Sequence, residues 1–352
     1  MHILEKVRIR RDRVLLRLSQ VKFKDFWYQR TISRVLAKTP ADKARFGIKR
    51  TVRLIGNFPG LWQRTIEQTP GGSCRWGHTL FVAQGPADHY VILNAPPAGL
   101  QWPAGVPRKE HVWGLHMEPE EYVLRLGYSQ PGRIKLASRF YTSSEALLAT
   151  GGVYRPSPPY VHFHVGKSWD YLQAVRAPSK TITLGIITSE LRDLAGHQAR
   201  LRFLDALDAS GIDYALWGRG EGLRKYRNYR GFAMSKWDVH APCRYSLVIE
   251  NSVSPLYWSE KVADALLAYS LPLYHGSEQL SQFLPKDCFI PINIFEPDCI
   301  NRIRTVLEAD PYNERMAAIE QARGIILNKE NLYAFLDREL DTAGVDASAS
   351  GK

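Results

Sequence analysis

From Thr51 onward, short apolar runs alternate with Gly, Pro and Asn punctuation: TVRLIGNF, GHTLFVAQG, HYVILNAPP and HVWGLHMEP, then shorter runs at 135–141 (KLASRFY) and 160–165 (YVHFHV). Near-continuous apolar runs bounded by turn residues read as strands buried on both faces, the pattern of a parallel or mixed sheet. This half closes near Pro178. The second half opens on TITLGIITS, a strand by its branched residues, and continues into GHQARLRFLDALDASG, where Ala199, Phe203, Ala206 and Leu207 recur at helical spacing. DYALW (213–217) is the next strand. The order then repeats as RYSLVIENS, SEKVADALLAY with Val262, Ala265, Leu266 and Tyr269 on one face, and SLPLYHG. Two strand–helix–strand units in succession predict a doubly wound α/β domain whose ligand lies beyond the carboxyl ends of the strands. After FIPINIF the chain is expected to be helical from about 298 to 340, broken near Pro311, and the small polar tail DTAGVDASASGK to be disordered. The implied boundaries are an arm over 1–45, Rossmann-like halves over 46–177 and 178–310, helices over 311–340 and a tail over 341–352.

Length supports the division, since 352 residues exceed what one core comfortably serves. No apolar run approaches the roughly 20 residues of a membrane-spanning helix, and charges stand where a signal peptide needs its apolar stretch. The expected location is therefore the cytosolic side of the membrane, where the chain is made. Cys74, Cys243, Cys288 and Cys299 are scattered, which predicts reduced structural thiols rather than a zinc site.

Charge changes the picture in one place. Residues 1–50 carry fifteen Lys/Arg against four Asp/Glu, eleven of the net +12, so the rest of the chain is almost neutral. The same segment interleaves Val7, Leu15, Leu16, Leu18, Phe23, Phe26, Trp27, Ile32 and Leu36 with its cations. Three roles suit it: peripheral contact with an anionic membrane surface, an amphipathic arm packed on the enzyme or a second subunit, or nucleic-acid contact.

Candidate chemistry concentrates in residues 245–276, YSLVIENSVSPLYWSEKVADALLAYSLPLYHG. Glu250 and Asn251 fall where a strand ends, and Glu260 and Lys261 open the following helix, so both pairs converge on the strand-end crevice. A lysine in the first turn opposes the helix dipole, a poor structural choice and a good one beside a bound anion. The plain alternative is a solvated helix start with Glu260 capping and Lys261 exposed.

This stretch resembles the signature of family-10 glycosyltransferases, the α1,3/α1,4-fucosyltransferases. The correspondence runs through IENS, Tyr257, SEK, ADALLA and LPLYHG, in the family's order and spacing, with Ile249, Ser259 and His275 where the family has Phe, Thr and Trp. It extends back to TSELRDLAGHQARLRFLDAL and forward to CFIPINIF, and fades over the first half. The resemblance implies the GT-B arrangement: two Rossmann-like domains facing a cleft, with C-terminal helices. It implies an inverting transfer of a sugar, expected to be L-fucose from GDP-fucose, to a hydroxyl of a glycan or glycolipid acceptor. Arg200 and Lys261 would neutralise the departing diphosphate, Glu260 would bind the ribose hydroxyls, Asn251 and Tyr257 would line the donor site, and Glu250 would orient them. No Asp-x-Asp motif occurs in the chain, so no obligatory cofactor or divalent metal is expected, the two cations meeting the leaving group's charge instead.

Inversion also requires a general base from the first half. Glu145, in YTSSEAL, resembles the family's stretch; Glu118, in MEPEE directly after a strand, competes with it. His162 and His164 stand two apart on an expected strand, a spacing compatible with metal ligation, but no third ligand is near and acceptor-cleft or packing roles are favoured. The turn Gly218–Gly222 and the tract LRKYRNYR (223–230) are expected to form a loop against the donor's guanine or phosphates. Two alternatives remain: another nucleotide sugar on the same fold, or a protein that binds nucleic acid through its basic segments, although no nucleic-acid partner is expected.

Overall fold

The computed structural model describes residues 47–349 apart from 57–59, 97–99, 101, 103–104, 106, 128–135 and 161–162. The basic arm over 1–45 lies outside the described residues, as does His162. Among the described residues no helix is long and apolar enough to cross a membrane.

Two sheets organise the chain. The first contains β1 (Arg50–Ile55), β2 (Arg75–Trp76), β3 (Thr79–Val82), β4 (His89–Leu93), β5 (Val112–Leu115), β6 (Arg139–Thr142) and β7 (Tyr154–Pro156), in the order β2-β3-β1-β4-β5-β6-β7. Every neighbouring pair is parallel except β2 with β3. Short helices α1 (Leu61–Glu67), α2 (Glu120–Arg125) and α3 (Glu145–Thr150) follow β1, β5 and β6, and α4 (Trp169–Ala174) leads into the second half. The second sheet contains β8 (Ile182–Ser189), β9 (Ala215–Arg219), β10 (Cys243–Ile249), β11 (Leu271–His275) and β12 (Ile290–Pro291), all parallel, in the order β12-β11-β10-β8-β9. Its helices are α5 (Ala195–Ala209), α6 (Lys236–His240), α7 (Glu260–Leu267), α8 (Cys299–Ala309) and α9 (Met316–Asn328). All of β10 except Arg244 is buried, as a central parallel strand covered on both faces must be. From β8 the chain goes to β9 on one side and returns to β10 on the other, so the switch point of the sheet lies between β8 and β10.

The last helix, α10 (Leu332–Ala349), returns to the first half. Leu332, Tyr333, Phe335, Leu336 and Leu340 join Val52, Phe81, Val91, Trp113 and Leu115 in one core, so the C-terminus covers the first sheet. Contrary to expectation, 341–349 continue this helix rather than forming a disordered tail. Asp337 and Asp341, one turn apart, both bind the Arg50 guanidinium, at 2.9 and 2.7 Å, which ties the extension to β1.

The run at 160–165 forms no strand in its described residues. Its backbone groups are claimed by side chains instead: the Phe163 carbonyl accepts from Gln68 Nε2 at 2.6 Å, and the His164 N–H donates to Asp264 Oδ1 at 2.6 Å. Tyr160 stacks on Phe335 with ring centroids 3.7 Å apart. Alternating apolar residues here serve a linker wedged between the halves. The break near Pro311 is an Asp310 in the left-handed region, φ 45°, which closes α8 and accepts from Tyr245 Oη at 2.8 Å.

Candidate active site

A cavity of about 660 Å³ opens at the carboxyl ends of β8, β9 and β10. Its floor is the switch point, and the N-terminal parts of α5, α6 and α7 face it with His197, Arg200, Lys236, Glu260 and Lys261. Close approach of α5 to the end of β10 depends on Gly196, where an added Cβ would stand 2.0 Å from the Asn251 carbonyl oxygen. Backbone meeting backbone cannot relax by a rotamer change. Gly196→Ala is therefore expected to cost about 1–3 kcal/mol of stability, read as a lower urea midpoint. It should also move Arg200, which α5 carries, away from Asn251 Oδ1; an unchanged Arg200–Asn251 contact in a structure of the variant would refute that link.

Arg200, 8 % exposed, crosses the switch point. Its Nη1 donates to Asn251 Oδ1 at 2.9 Å and its Nη2 to the Ser189 carbonyl at 3.4 Å, while Nε is buried without a hydrogen-bond partner among the described residues. The guanidinium is thus oriented and only partly satisfied.

Lys261 is held just as firmly. Ser259 caps α7, and its Oγ accepts from Lys261 Nζ at 2.9 Å. Glu250, 1 % exposed, accepts from Ser259 N at 2.8 Å, from Ser259 Oγ, and from Lys261 Nζ at 3.0 Å. This carboxylate joins the end of β10 to the start of α7 and offsets the lysine that the helix dipole disfavours. Burial would lower the Lys261 pKa, but Glu250 and Glu260 raise it, so the ammonium stays charged. For Glu260 burial acts upward, and Lys261 and Lys236 outweigh it and hold the carboxylate ionised.

Lys236 is a third cation that sequence reasoning missed. Its Nζ donates to Asp264 Oδ2 at 2.7 Å and to Glu260 Oε1 at 3.4 Å. The signal was available, because Ser235 caps α6 and Lys236 follows at the first helical position, the same anomaly as Ser259 and Lys261. Asp264 is fully buried, with a pKa raised to about 6 chiefly by burial against the pull of Lys236. His164 lines the cavity, and burial lowers its pKa to about 4, leaving a neutral ring near neutral pH. Tyr257 and Glu250 are buried behind these groups and do not line the cavity.

The two candidate bases separate clearly. Glu145 is exposed at the start of α3. Glu118 follows β5 in a loop fixed by Asn94 Oδ1, which accepts from the Met117 N–H at 2.6 Å. Its pKa is raised by burial first and then by the Glu260 carboxylate, against the opposing Lys261. Glu118 thus belongs to the electrostatic neighbourhood of Glu260 and Lys261 of the second half, across the join. The halves also touch here, where Arg125 Nη1 of α2 donates to the Asp193 carbonyl at 3.2 Å.

The basic tract at 223–230 does not line the cavity. Lys225 pairs with Asp205, Arg224 with Glu221 and Arg227 with Asp208, so these charges are spent on the carboxylates of α5 and the tract's own turn. The Gly222 N–H is likewise taken by Glu190 Oε2 at 2.7 Å rather than left to cradle a phosphate. Sequence adjacency to β9 suggested a donor loop; local ion pairing turned its cations to the flank. The residues that do line the cavity from this region are Gly218, Arg219 and Gly220, then Phe232, Ala233 and Met234. Phe232 and Met234 are exposed apolar side chains at the rim of a charged cavity, a combination suited to a ligand with a flat base and an anionic end.

Residues 177–311 match the family model described as Glycosyltransferase family 10 (fucosyltransferase) C-term. A curated relative, the α-(1,4)-fucosyltransferase of Arabidopsis thaliana, is 24 % identical over 220 residues, 61 % of this chain and 50 % of the relative. The chain thus spans about half the length of that relative. Among solved structures, an α-glucosyltransferase in complex with UDP and a 13-mer DNA aligns with a TM-score of 0.53 at 8 % identity, over 84 % of this chain and all of that one. An α1,3-fucosyltransferase with GDP-fucose aligns with a TM-score of 0.45 at 14 % identity, over 81 % of this chain and 92 % of that one. The two-sheet arrangement is that of GT-B glycosyltransferases.

Proposed function

We infer, from the family-10 fucosyltransferase-like character of residues 177–311, that this protein is a glycosyltransferase moving L-fucose from GDP-fucose to a hydroxyl of a glycan acceptor, with inversion. The observation that carries the reading is the convergence of Arg200, Lys236 and Lys261 on one cavity at the switch point of the second sheet. Such a crevice is where doubly wound sheets bind nucleotides. Cleavage of the sugar–phosphate bond leaves its electron pair on the β-phosphate oxygen, and fixed cations in a water-poor site stabilise that charge most effectively. Arg200 and Lys261 take this role, with Lys236 holding Glu260 in place. The ionised Glu260 accepts from the ribose hydroxyls. Phe232 and Met234 offer the base an apolar face.

Glu118 is the general base. As the acceptor oxygen attacks the anomeric carbon from the side opposite the diphosphate, its proton passes to this carboxylate. The cations remove any need for a divalent ion. Binding and turnover in chelator with a panel of nucleotides test the reading: GDP should raise the melting temperature where UDP and ADP do not. GDP-fucose should be consumed with EDTA present. Stabilisation by UDP alone would move the donor to another nucleotide sugar, and dependence on added manganese would remove the cations from their role.

A further inference from the structure

One wall of the cavity is built from the ends of β8 and β9 and the segment 232–234 rather than from helix starts. Glu190, directly after β8, and Arg219, the last residue of β9, stand side by side there, the Glu190 N–H donating to the Arg219 carbonyl at 3.0 Å. Both residues are exposed and both line the cavity. Glu190 is fixed with accepting capacity to spare. Its Oε2 accepts from the Gly222 N–H at 2.7 Å, and its carboxylate fills the space of an absent side chain at Gly220, where an added Cβ would stand 2.3 Å from Glu190 Cδ. Its Oε1 has no partner among the described residues. The Arg219 guanidinium makes no hydrogen bond or ion pair among the described residues and lies 5.6 Å from the centroid of the exposed Phe232 ring.

An accessible carboxylate that accepts, an accessible guanidinium that donates and an exposed aromatic ring complement one flat heterocycle. Guanine carries two neighbouring donors, N1–H and the N2 amino group, on one edge and two acceptors, O6 and N7, on the next. A carboxylate matches the first pair and a guanidinium the second, each in bidentate fashion. Adenine has an acceptor at N1 and an amino group at C6, so both contacts would be mismatched. Uracil has one N–H between two carbonyls and no counterpart of N7. Position agrees. The sheet runs β10-β8-β9, so at a strand spacing of about 4.8 Å this wall lies roughly 10 Å from the end of β10, where Lys261 meets Glu250, a gap that a ribose and its phosphates bridge. We propose that Glu190 and Arg219 select guanine among nucleotide bases, Glu190 accepting from N1–H and the N2 amino group and Arg219 donating to O6 and N7, with the base against Phe232. The assignment rests on reading this cavity as the nucleotide-sugar site.

Calorimetric titration of the full chain tests it with GDP, with inosine diphosphate, which lacks the N2 amino group, and with xanthosine diphosphate, which has a carbonyl oxygen in its place. The native protein should bind GDP about tenfold more tightly than inosine diphosphate, within the range that a bidentate base contact discriminates. Glu190→Gln keeps an oxygen for the Gly222 N–H; it should weaken GDP about tenfold and turn the preference toward xanthosine diphosphate, whose oxygen accepts from the new amide. A purely structural role for Glu190 would lower all three alike. Arg219→Met should weaken GDP and inosine diphosphate by the same factor, because both keep O6 and N7. The comparison on the native protein stands whatever the stability of the variants. Equal native affinity for GDP and inosine diphosphate, or an unchanged order of preference in Glu190→Gln, would overturn the assignment, and GDP binding in the same titrations would leave the donor reading intact. Native binding of UDP in preference to all three purines would overturn the identity of the donor and this assignment with it.

Discussion

Glu118→Gln is expected to lower kcat by about 10²–10⁴-fold while leaving GDP binding within about twofold, since a general base acts on the acceptor's proton and not on the nucleotide. The amide is isosteric and retains the fixed loop after β5, where Asn94 holds the Met117 backbone. The pH profile offers a second readout. The carboxyl must be ionised to accept a proton, and burial with the Glu260 charge raises its pKa. Activity should therefore fall on the acid side at a pH above the usual carboxylate range, and that limb should vanish from the residual rate of the variant. Glu145→Gln serves as the control, expected to be silent because Glu145 is exposed in the first turn of a short helix that Ser144 caps. Full turnover by Glu118→Gln, or loss confined to Glu145→Gln, would transfer the role.

Removing the Lys261 charge should have a comparable effect through two separable routes. Lys261→Met is expected to reduce turnover by about 10²–10³-fold, the size of one lost contact to the developing charge of a leaving group. It should also destabilise the fold by about 3 kcal/mol, because Glu250 would remain buried with its ion-pair partner gone. The double variant Glu250→Gln with Lys261→Met removes that unpaired charge and should recover most of the stability. Turnover should stay low. Recovery of both together would mean that Lys261 only braces Glu250, and the cation would lose its place in the mechanism. Measurement of urea midpoints beside kcat decides between the outcomes.

Much of the candidate site could be read in the linear chain because its parts are local in sequence. IENS ends a strand, SEK opens the next helix, and Lys261 stands eleven positions after Glu250, so their meeting follows from one strand–loop–helix unit. Lys236 was legible by the same rule, a lysine after a capping serine, but passed unnoticed outside a familiar motif. The tract LRKYRNYR misled because charge alone carries no direction; Asp205 and Asp208 on α5 drew its cations away from the cavity. Order along the chain could not choose between Glu118 and Glu145 either. That choice depends on which loop of the first sheet faces the second.

The amino-acid pattern by itself determined the two-sheet architecture and the strand–loop–helix unit that brings Glu250 to Lys261, because strand burial and helix periodicity are set by residues within a few positions of one another. Tertiary structure alone decided what lies across the join: Glu118 within the field of Glu260 and Lys261, the return of α10 onto the first sheet, and the linker at 160–165 held by Gln68 and Asp264. Those contacts link residues a hundred or more positions apart in most cases, through hydrogen bonds and fields that no local periodicity encodes.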